Sequence, residues 1–265
     1  MEKAKQATAK TAAPAFAAIG EAPSSADTTH VMRWIVMAKQ PVAGRVKTRL
    51  CPPLTPVEAA AVYEALLAGT LRAVARGLPG WGDELVLCYT PGDAREVFWR
   101  DYAEPLPVCV ELLEQADGDL GQRLAAAHKA TPGPSLFLGG DAPDVPDSYL
   151  AAVREAVLNA DVVLGPSSDG GYWCLGLQPQ VDAAALLAEI PWSSGQEYEA
   201  THRAAIKMGL KVALVPTWDD VDRFDDLVAL HRRRDISEQA AWVVEHLRQR
   251  APAVVERLRQ AVEMP

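Results

Sequence analysis

Four cations, Lys39, Arg45, Lys47 and Arg49, fall within eleven residues of the run Met37-Ala38-Lys39-Gln40-Pro41-Val42-Ala43-Gly44-Arg45-Val46-Lys47-Thr48-Arg49-Leu50. Such a local positive field suits a di- or triphosphate. Gly44 stands where a backbone must come close to that ligand; a solvated basic turn is the plainer alternative. Three acidic groupings follow, of which two could hold a divalent cation bridging phosphate oxygens and one could face the ligand. In Gly139-Gly140-Asp141-Ala142-Pro143-Asp144-Val145-Pro146, Asp141 directly follows an apolar run and two glycines. The prolines stiffen the turn, so that one or both of Asp141 and Asp144 can be presented to a metal. Asp144 could instead cap the following helix, and Asp147 reads as such a cap.

In Ser167-Ser168-Asp169-Gly170-Gly171-Tyr172, two glycines permit a tight turn that aims Asp169 at a ligand. A plain Asp-Gly hairpin turn is the rival. The third grouping, Trp218-Asp219-Asp220-Val221-Asp222-Arg223-Phe224-Asp225-Asp226-Leu227, carries five acids in eight residues. Asp225 and Asp226 suit the first turn of a helix, leaving Asp220 or Asp222 to complete a metal site with Asp141. Two weaker signals remain. Asp117-Gly118-Asp119-Leu120-Gly121-Gln122-Arg123 could add backbone N–H groups and Arg123 to an anion site, or be an ordinary glycine turn. Pro191-Trp192-Ser193-Ser194-Gly195 could flank a sugar or an acceptor, although a Trp is more often core. The five histidines lie apart and no G-x-S-x-G run is present, which argues against zinc or serine hydrolysis.

The elements that must position these residues alternate. Trp34-Ile35-Val36 reads as a first strand. Thr55-Pro56-Val57-Glu58 opens a helix with a capping box, running to about Leu78. Strands are expected over 84–89, 107–113, 135–138, 161–164, 172–177 and 211–215. Helices are expected over 93–102, 121–129, 147–159 and 198–208, and from about Phe224 onward. This pattern is α/β, with a mostly parallel sheet. Asp141 then lies at the carboxyl edge of the sheet, where open α/β proteins bind ligands.

The chain of 265 residues carries 35 acidic and 26 basic side chains, a formal charge of −9. This argues against a nucleic acid or an anionic membrane as partner. Four separated cysteines indicate neither a zinc site nor a disulfide framework. No stretch approaches 18 apolar residues, so no membrane span is expected and a cytoplasmic protein is. Three regions are read: a flexible N-terminal tail over 1–30, a nucleotide-binding α/β domain over 31–234, and an amphipathic C-terminal helical extension over 235–265 interrupted at Pro252. The extension would pack on the sheet's back face or pair two subunits.

In order, Lys39-x-Pro41-x-x-Gly44-x-x-Lys47-Thr48-Arg49-Leu50, Gly118-Asp119-Leu120-Gly121-x-Arg123-Leu124, Gly140-Asp141-x-Pro143, Asp169-Gly170-Gly171-Tyr172 and Trp192-Ser193 resemble one family. It is the small bacterial GT-A-type glycosyltransferases of the nucleotide-diphospho-sugar transferase superfamily, in the branch labelled arsenosugar-biosynthesis-like. The resemblance spans residues 32–228. It implies a three-layer α/β/α sandwich with a Rossmann-like sheet, a nucleotide over the amino half of that sheet, and Mg²⁺ or Mn²⁺ on an Asp after the fourth strand. By the same resemblance Arg45, Lys47 and Arg49 contact the phosphates, Asp141 holds the metal, and Asp169 to Tyr172 face the transferred group or acceptor. Asp222 is a looser match to a second metal acid.

The D-x-D usual in glycosyltransferases is here Asp141-Ala142-Pro143. The Gly-Asp-x-Pro form is similar to guanylyl- and cytidylyltransferases, including the phospholactate guanylyltransferases of deazaflavin synthesis. Two reactions are therefore expected to compete. In the first, a glycosyl group passes from a nucleoside diphosphate sugar to a small acceptor, with Asp169 as acceptor base. In the second, a nucleotide passes from an NTP to a phosphorylated acceptor. A nucleotide-binding protein without turnover is a third reading, against which the retained acids weigh.

Overall fold

The computed structural model describes residues 31–263, so the N-terminal tail expected over 1–30 lies outside the described residues. Strand β1 (Arg33–Lys39) sets the layering, because successive side chains of a strand point to opposite faces. Trp34 and Val36 enter one core cluster and Ile35 another. After the basic loop comes α1 (Pro56–Trp81), whose Thr55 and Glu58 form the expected reciprocal capping box. β2 (Glu84–Thr90) follows.

The single helix expected over 93–102 is broken. α2 covers only Arg95–Phe98, and the chain then widens into a π turn over Trp99–Ala103, closed by the Glu104 N–H on the Trp99 carbonyl. That turn buries Tyr102 and Ala103, with the Tyr102 ring tilted on Phe98. β3 (Val110–Glu114) begins later than its apolar run suggests. α3 (Leu120–Ala130), β4 (Ser135–Gly139), α4 (Asp147–Val157), β5 (Val162–Pro166) and β6 (Tyr172–Leu177) follow. α5 (Ala183–Leu187) is too short to show a helical period in sequence. α6 (Glu197–Lys207), β7 (Val212–Leu214), α7 (Phe224–Arg233), α8 (Glu238–Arg250) and α9 (Pro252–Glu263) complete the chain.

The strands form one sheet in the order β3-β2-β1-β4-β6-β5-β7. β6 runs antiparallel to both its neighbours, and every other pairing in the sheet is parallel. On one face the sheet packs against α1 and α4, through residues such as Leu67, Leu71, Leu150 and Val153. On the other it packs against α3, α5 and α6, through Leu124, Leu186 and Ala205. The fold is thus a mostly parallel α/β sheet between helical layers. α7, α8 and α9 do not reach the sheet's back face. They cover the outer side of α1, where Val243, Leu247, Val254 and Leu258 meet Val62 and Leu66. Each buried Val or Leu there contributes roughly 1.5–3 kcal/mol. Among the described residues no helix is long and apolar enough to cross a membrane.

Candidate active site

The three acidic groupings meet at the carboxyl edge of the sheet. β4 delivers Asp141 through Gly139 and Gly140, and a Cβ on Gly140 would lie 2.8 Å from Leu67 and 3.4 Å from the Met37 carbonyl. A side chain there would have to displace the Leu67 methyl of α1. The Val221 N–H donates to the Asp141 carbonyl at 3.0 Å, stitching the acidic loop after β7 to the Asp141 loop. Asp219 ties the same loop to the β5–β6 hairpin by accepting from both the N–H and the hydroxyl of Ser168, at 2.7 and 2.5 Å.

At the centre lies Lys47. Its backbone is left-handed, with φ 45°, and its side chain is only 7% exposed. For a residue with a side chain that conformation is uncommon. The ammonium donates to Asp141 Oδ2 at 2.7 Å and stands 3.6 Å from Asp222 Oδ1 and 3.9 Å from Asp220 Oδ2. Burial opposes its charge, but the three carboxylates outweigh burial and hold it above the ordinary lysine value. The acids respond oppositely to one another. Burial first, then the charge of Asp141, pushes Asp220 up to about 7, and Lys47 only partly offsets this. Burial also acts on Asp222, yet hydrogen bonds from Arg49 and attraction to Lys47 leave it below the usual carboxylate range. Arg49 reaches Asp222 Oδ2 at 2.8 Å from an exposed position.

Several expected site residues are placed differently. Lys47 is turned inward onto the acids rather than outward to a phosphate, whereas Lys39, Gly44, Arg45 and Arg49 are exposed on the loop. Asp144 is not presented to a ligand; its side chain is 1% exposed and bound by Arg233. Arg123 is committed within the chain, donating to Gln115 Oε1 at 3.0 Å and the Gly118 carbonyl at 2.9 Å. Gly121 serves packing, since a Cβ there would lie 2.8 Å from the Leu187 carbonyl and 3.0 Å from the Trp192 ring. Trp192 packs on it and on the edge of Tyr172. The Tyr172 hydroxyl is buried beside Thr201, so burial raises its pKa and the phenol faces inward rather than toward an acceptor. Ser193 is exposed.

The hairpin alternative for Asp169 to Gly171 is realised in part. Ser167 and Gly171 pair across it, and Asp169 Oδ1 accepts the Gly171 N–H at 2.9 Å. Gly170 has φ 89° and abuts the Gly195 carbonyl. Asp169 is exposed and near enough to Arg49 and Asp220 to act on both.

Sequence reasoning missed Gln115, whose amide donates to the carbonyls of Ala38 and Cys88 and so fixes the ends of β1 and β2. It also missed Tyr63, whose hydroxyl accepts the Lys39 N–H at 3.1 Å behind the loop. A lone Gln or Tyr in sequence gives no such signal. Among the described residues no three acids, histidines or cysteines form a ready metal cage; the acids gather round Lys47 instead. Their chemistry nevertheless suits a hard divalent cation that keeps some ligands from water or phosphate.

This arrangement sits on the fold of nucleotide-diphospho-sugar transferases and cytidylyltransferases. A family model described as "Uncharacterized protein conserved in bacteria" (DUF2064) matches residues 75–194, which leaves the basic loop and the Asp220–Asp222 loop outside the match. A search of curated proteins finds no match. Among solved structures, the chain is similar to a protein provisionally assigned as a nucleotide-diphospho-sugar transferase from Desulfovibrio desulfuricans G20. The two are 23% identical with a TM-score of 0.69, over 86% of this chain and 97% of that one. It is also similar to the 4-diphosphocytidyl-2C-methyl-D-erythritol synthase of Anaerococcus prevotii DSM 20548, at 13% identity and TM-score 0.52, over 75% and 95% of the chains. A cytidylyltransferase from Leptospira borgpetersenii serovar Hardjo-bovis has 13% identity and TM-score 0.51, over 85% and 97%.

Proposed function

We propose that the protein is a metal-dependent transferase that moves a glycosyl group from a nucleoside diphosphate sugar to a small acceptor. The observation that carries this is the convergence of Asp141, Asp220 and Asp222 on a single ammonium, beside the exposed cations Lys39, Arg45 and Arg49. The likeness to a protein assigned as a nucleotide-diphospho-sugar transferase supports the same donor class. Asp141 and Asp222 would hold Mg²⁺ or Mn²⁺, whose chemistry is to neutralise charge on the phosphate oxygens. Lys39, Arg45 and Arg49 would grip the diphosphate, and Lys47 would keep the acids from repelling one another. As the acceptor oxygen bonds to the anomeric carbon, the bond from that carbon to the diphosphate breaks and the nucleoside diphosphate leaves. Asp169 would take the acceptor's proton, its exposed carboxylate lying within the field of Arg49.

One observation favours a second reading, nucleotidyl transfer with release of pyrophosphate. The second metal acid, Asp222, comes from the loop after β7 rather than from a D-x-D, and cytidylyltransferases share the fold. Product analysis separates the two. With Mn²⁺ and a panel of NDP-sugars, slow donor hydrolysis to free NDP that an acceptor accelerates is expected. Pyrophosphate formed only from an NTP plus a phosphorylated acceptor would replace glycosyl with nucleotidyl transfer. Neither product from any donor would refute both.

A further inference from the structure

Beneath the Asp141 loop lies a second charged cluster that the reaction does not use. Arg233, the last residue of α7, donates from Nε to Asp144 Oδ2 at 2.5 Å, and Asp144 has no other side chain neutralising it among the described residues. The same guanidinium lies over the Trp218 ring, 5.4 Å from its centroid. Trp218 is in turn packed at right angles against Tyr149 of α4, and its backbone N–H donates to the Pro166 carbonyl at 3.1 Å. Asp144 is three residues beyond Asp141; Trp218 is two residues before Asp220. One side chain therefore touches the feet of both loops that carry the metal acids. The other end of α7 holds the acidic loop as well, since Asp226 accepts the N–H groups of Asp222 and Arg223.

We infer that Arg233 is a positioning residue: by binding Asp144 and stacking on Trp218 it sets how far Asp141 stands from Asp220 and Asp222. This rests on the metal-site reading above. The pair's place in the fold argues for positioning. A buried ion pair is weak as a source of stability, and this one spans the two loops whose spacing a cation would sense. Lys could neutralise Asp144 but offers no flat guanidinium to Trp218.

Removing Arg233 alone strands a buried carboxylate and risks unfolding, so the decisive variant is the paired Asp144→Leu/Arg233→Met in the whole 265-residue chain. Mn²⁺ affinity is measured by electron paramagnetic resonance of the free ion, alongside Tm. The paired variant is expected to stay folded yet bind Mn²⁺ about tenfold more weakly, as when support behind a metal ligand is lost. Arg233→Lys should fall between it and wild type. Arg154→Met, which breaks a buried pair at the far end of the sheet, should lower Tm and leave the Mn²⁺ Kd alone. A paired-variant Kd equal to that of wild type overturns the positioning role. No Mn²⁺ binding by wild type removes the metal site and the inference together.

Discussion

The two ends of the sheet treat buried acids in opposite ways. At the amino end, Asp83 has a fully buried side chain and accepts from the Met32 N–H, the Trp34 indole N–H and the Arg154 guanidinium. One carboxylate there meets more donors than it has charge. At the carboxyl end, one ammonium serves three carboxylates, and Asp220 is pushed toward the neutral form. A saturated acid locks strands together. An under-neutralised cluster keeps a standing deficit of positive charge, which a divalent cation with its phosphate ligand can fill. The contrast separates architecture from chemistry within a single sheet.

Breaking the saturated end should have the largest effect. Asp83→Ala leaves the half-buried Arg154 without its partner and two buried N–H groups unsatisfied, so urea unfolding should record a loss of about 3 kcal/mol. Its Mn²⁺ affinity should match wild type. At the other end Asp141→Asn should cut turnover about 100-fold or more, because several kcal/mol of charge stabilisation through the metal is forfeited. Its melting temperature should stay near that of wild type, since one like charge has left a crowded cluster. A large drop in Tm with turnover preserved would reverse the contrast between the two ends.

Lys47→Met sharpens the comparison further. With no ammonium among the acids, stability should fall by about 2 kcal/mol, less than for a fully buried pair because the acids are partly exposed. Added Mn²⁺ should restore the melting temperature of this variant more than that of Asp83→Ala. The smallest effect is a pH dependence. The folded-state pKa of Asp220 lies above its ordinary 3.8, at about 7, so the fold prefers the protonated form. That contribution to stability is complete below about pH 4 and is lost as pH rises through 7. In chelator, unfolding curves for wild type and Asp220→Asn should diverge between pH 4 and 8, the wild type losing more stability. Parallel curves would show that Asp220 ionises normally.

Much of the fold could be read from local pattern. The capping box at Thr55 and Glu58 and the apolar run before Gly139 are each written within a few residues and appear where expected, and the Asp-Gly turn at Asp169, weighed as an alternative to a ligand-facing acid, is realised in part. The break at Trp99 could not be read, because the apolar positions of 93–102 fit a helix and only packing around Phe98 decides the π turn. Individual site residues were harder still. Tyr172, Trp192, Gly121 and Arg123 have the right types for a ligand site, yet the first three are taken up in packing and Arg123 in hydrogen bonds to Gln115 and Gly118. Residue type states what a side chain can bind and leaves open which partner reaches it first.

The sequence by itself determined the alternation of strands and helices, the presence of a basic loop after β1, and the supply of acids after β4, β5 and β7. These follow from periodicity, turn chemistry and composition, which act over a few residues. Only the tertiary structure decided that Lys47 turns inward to Asp141, 94 residues away, that Asp144 belongs to Arg233, and that Asp220 is pushed toward the neutral form while Asp222 is held ionised. Charge acts through space rather than along the chain. Which of several like residues is neutralised, buried or left under strain is therefore settled only when the sheet brings its loops to one edge.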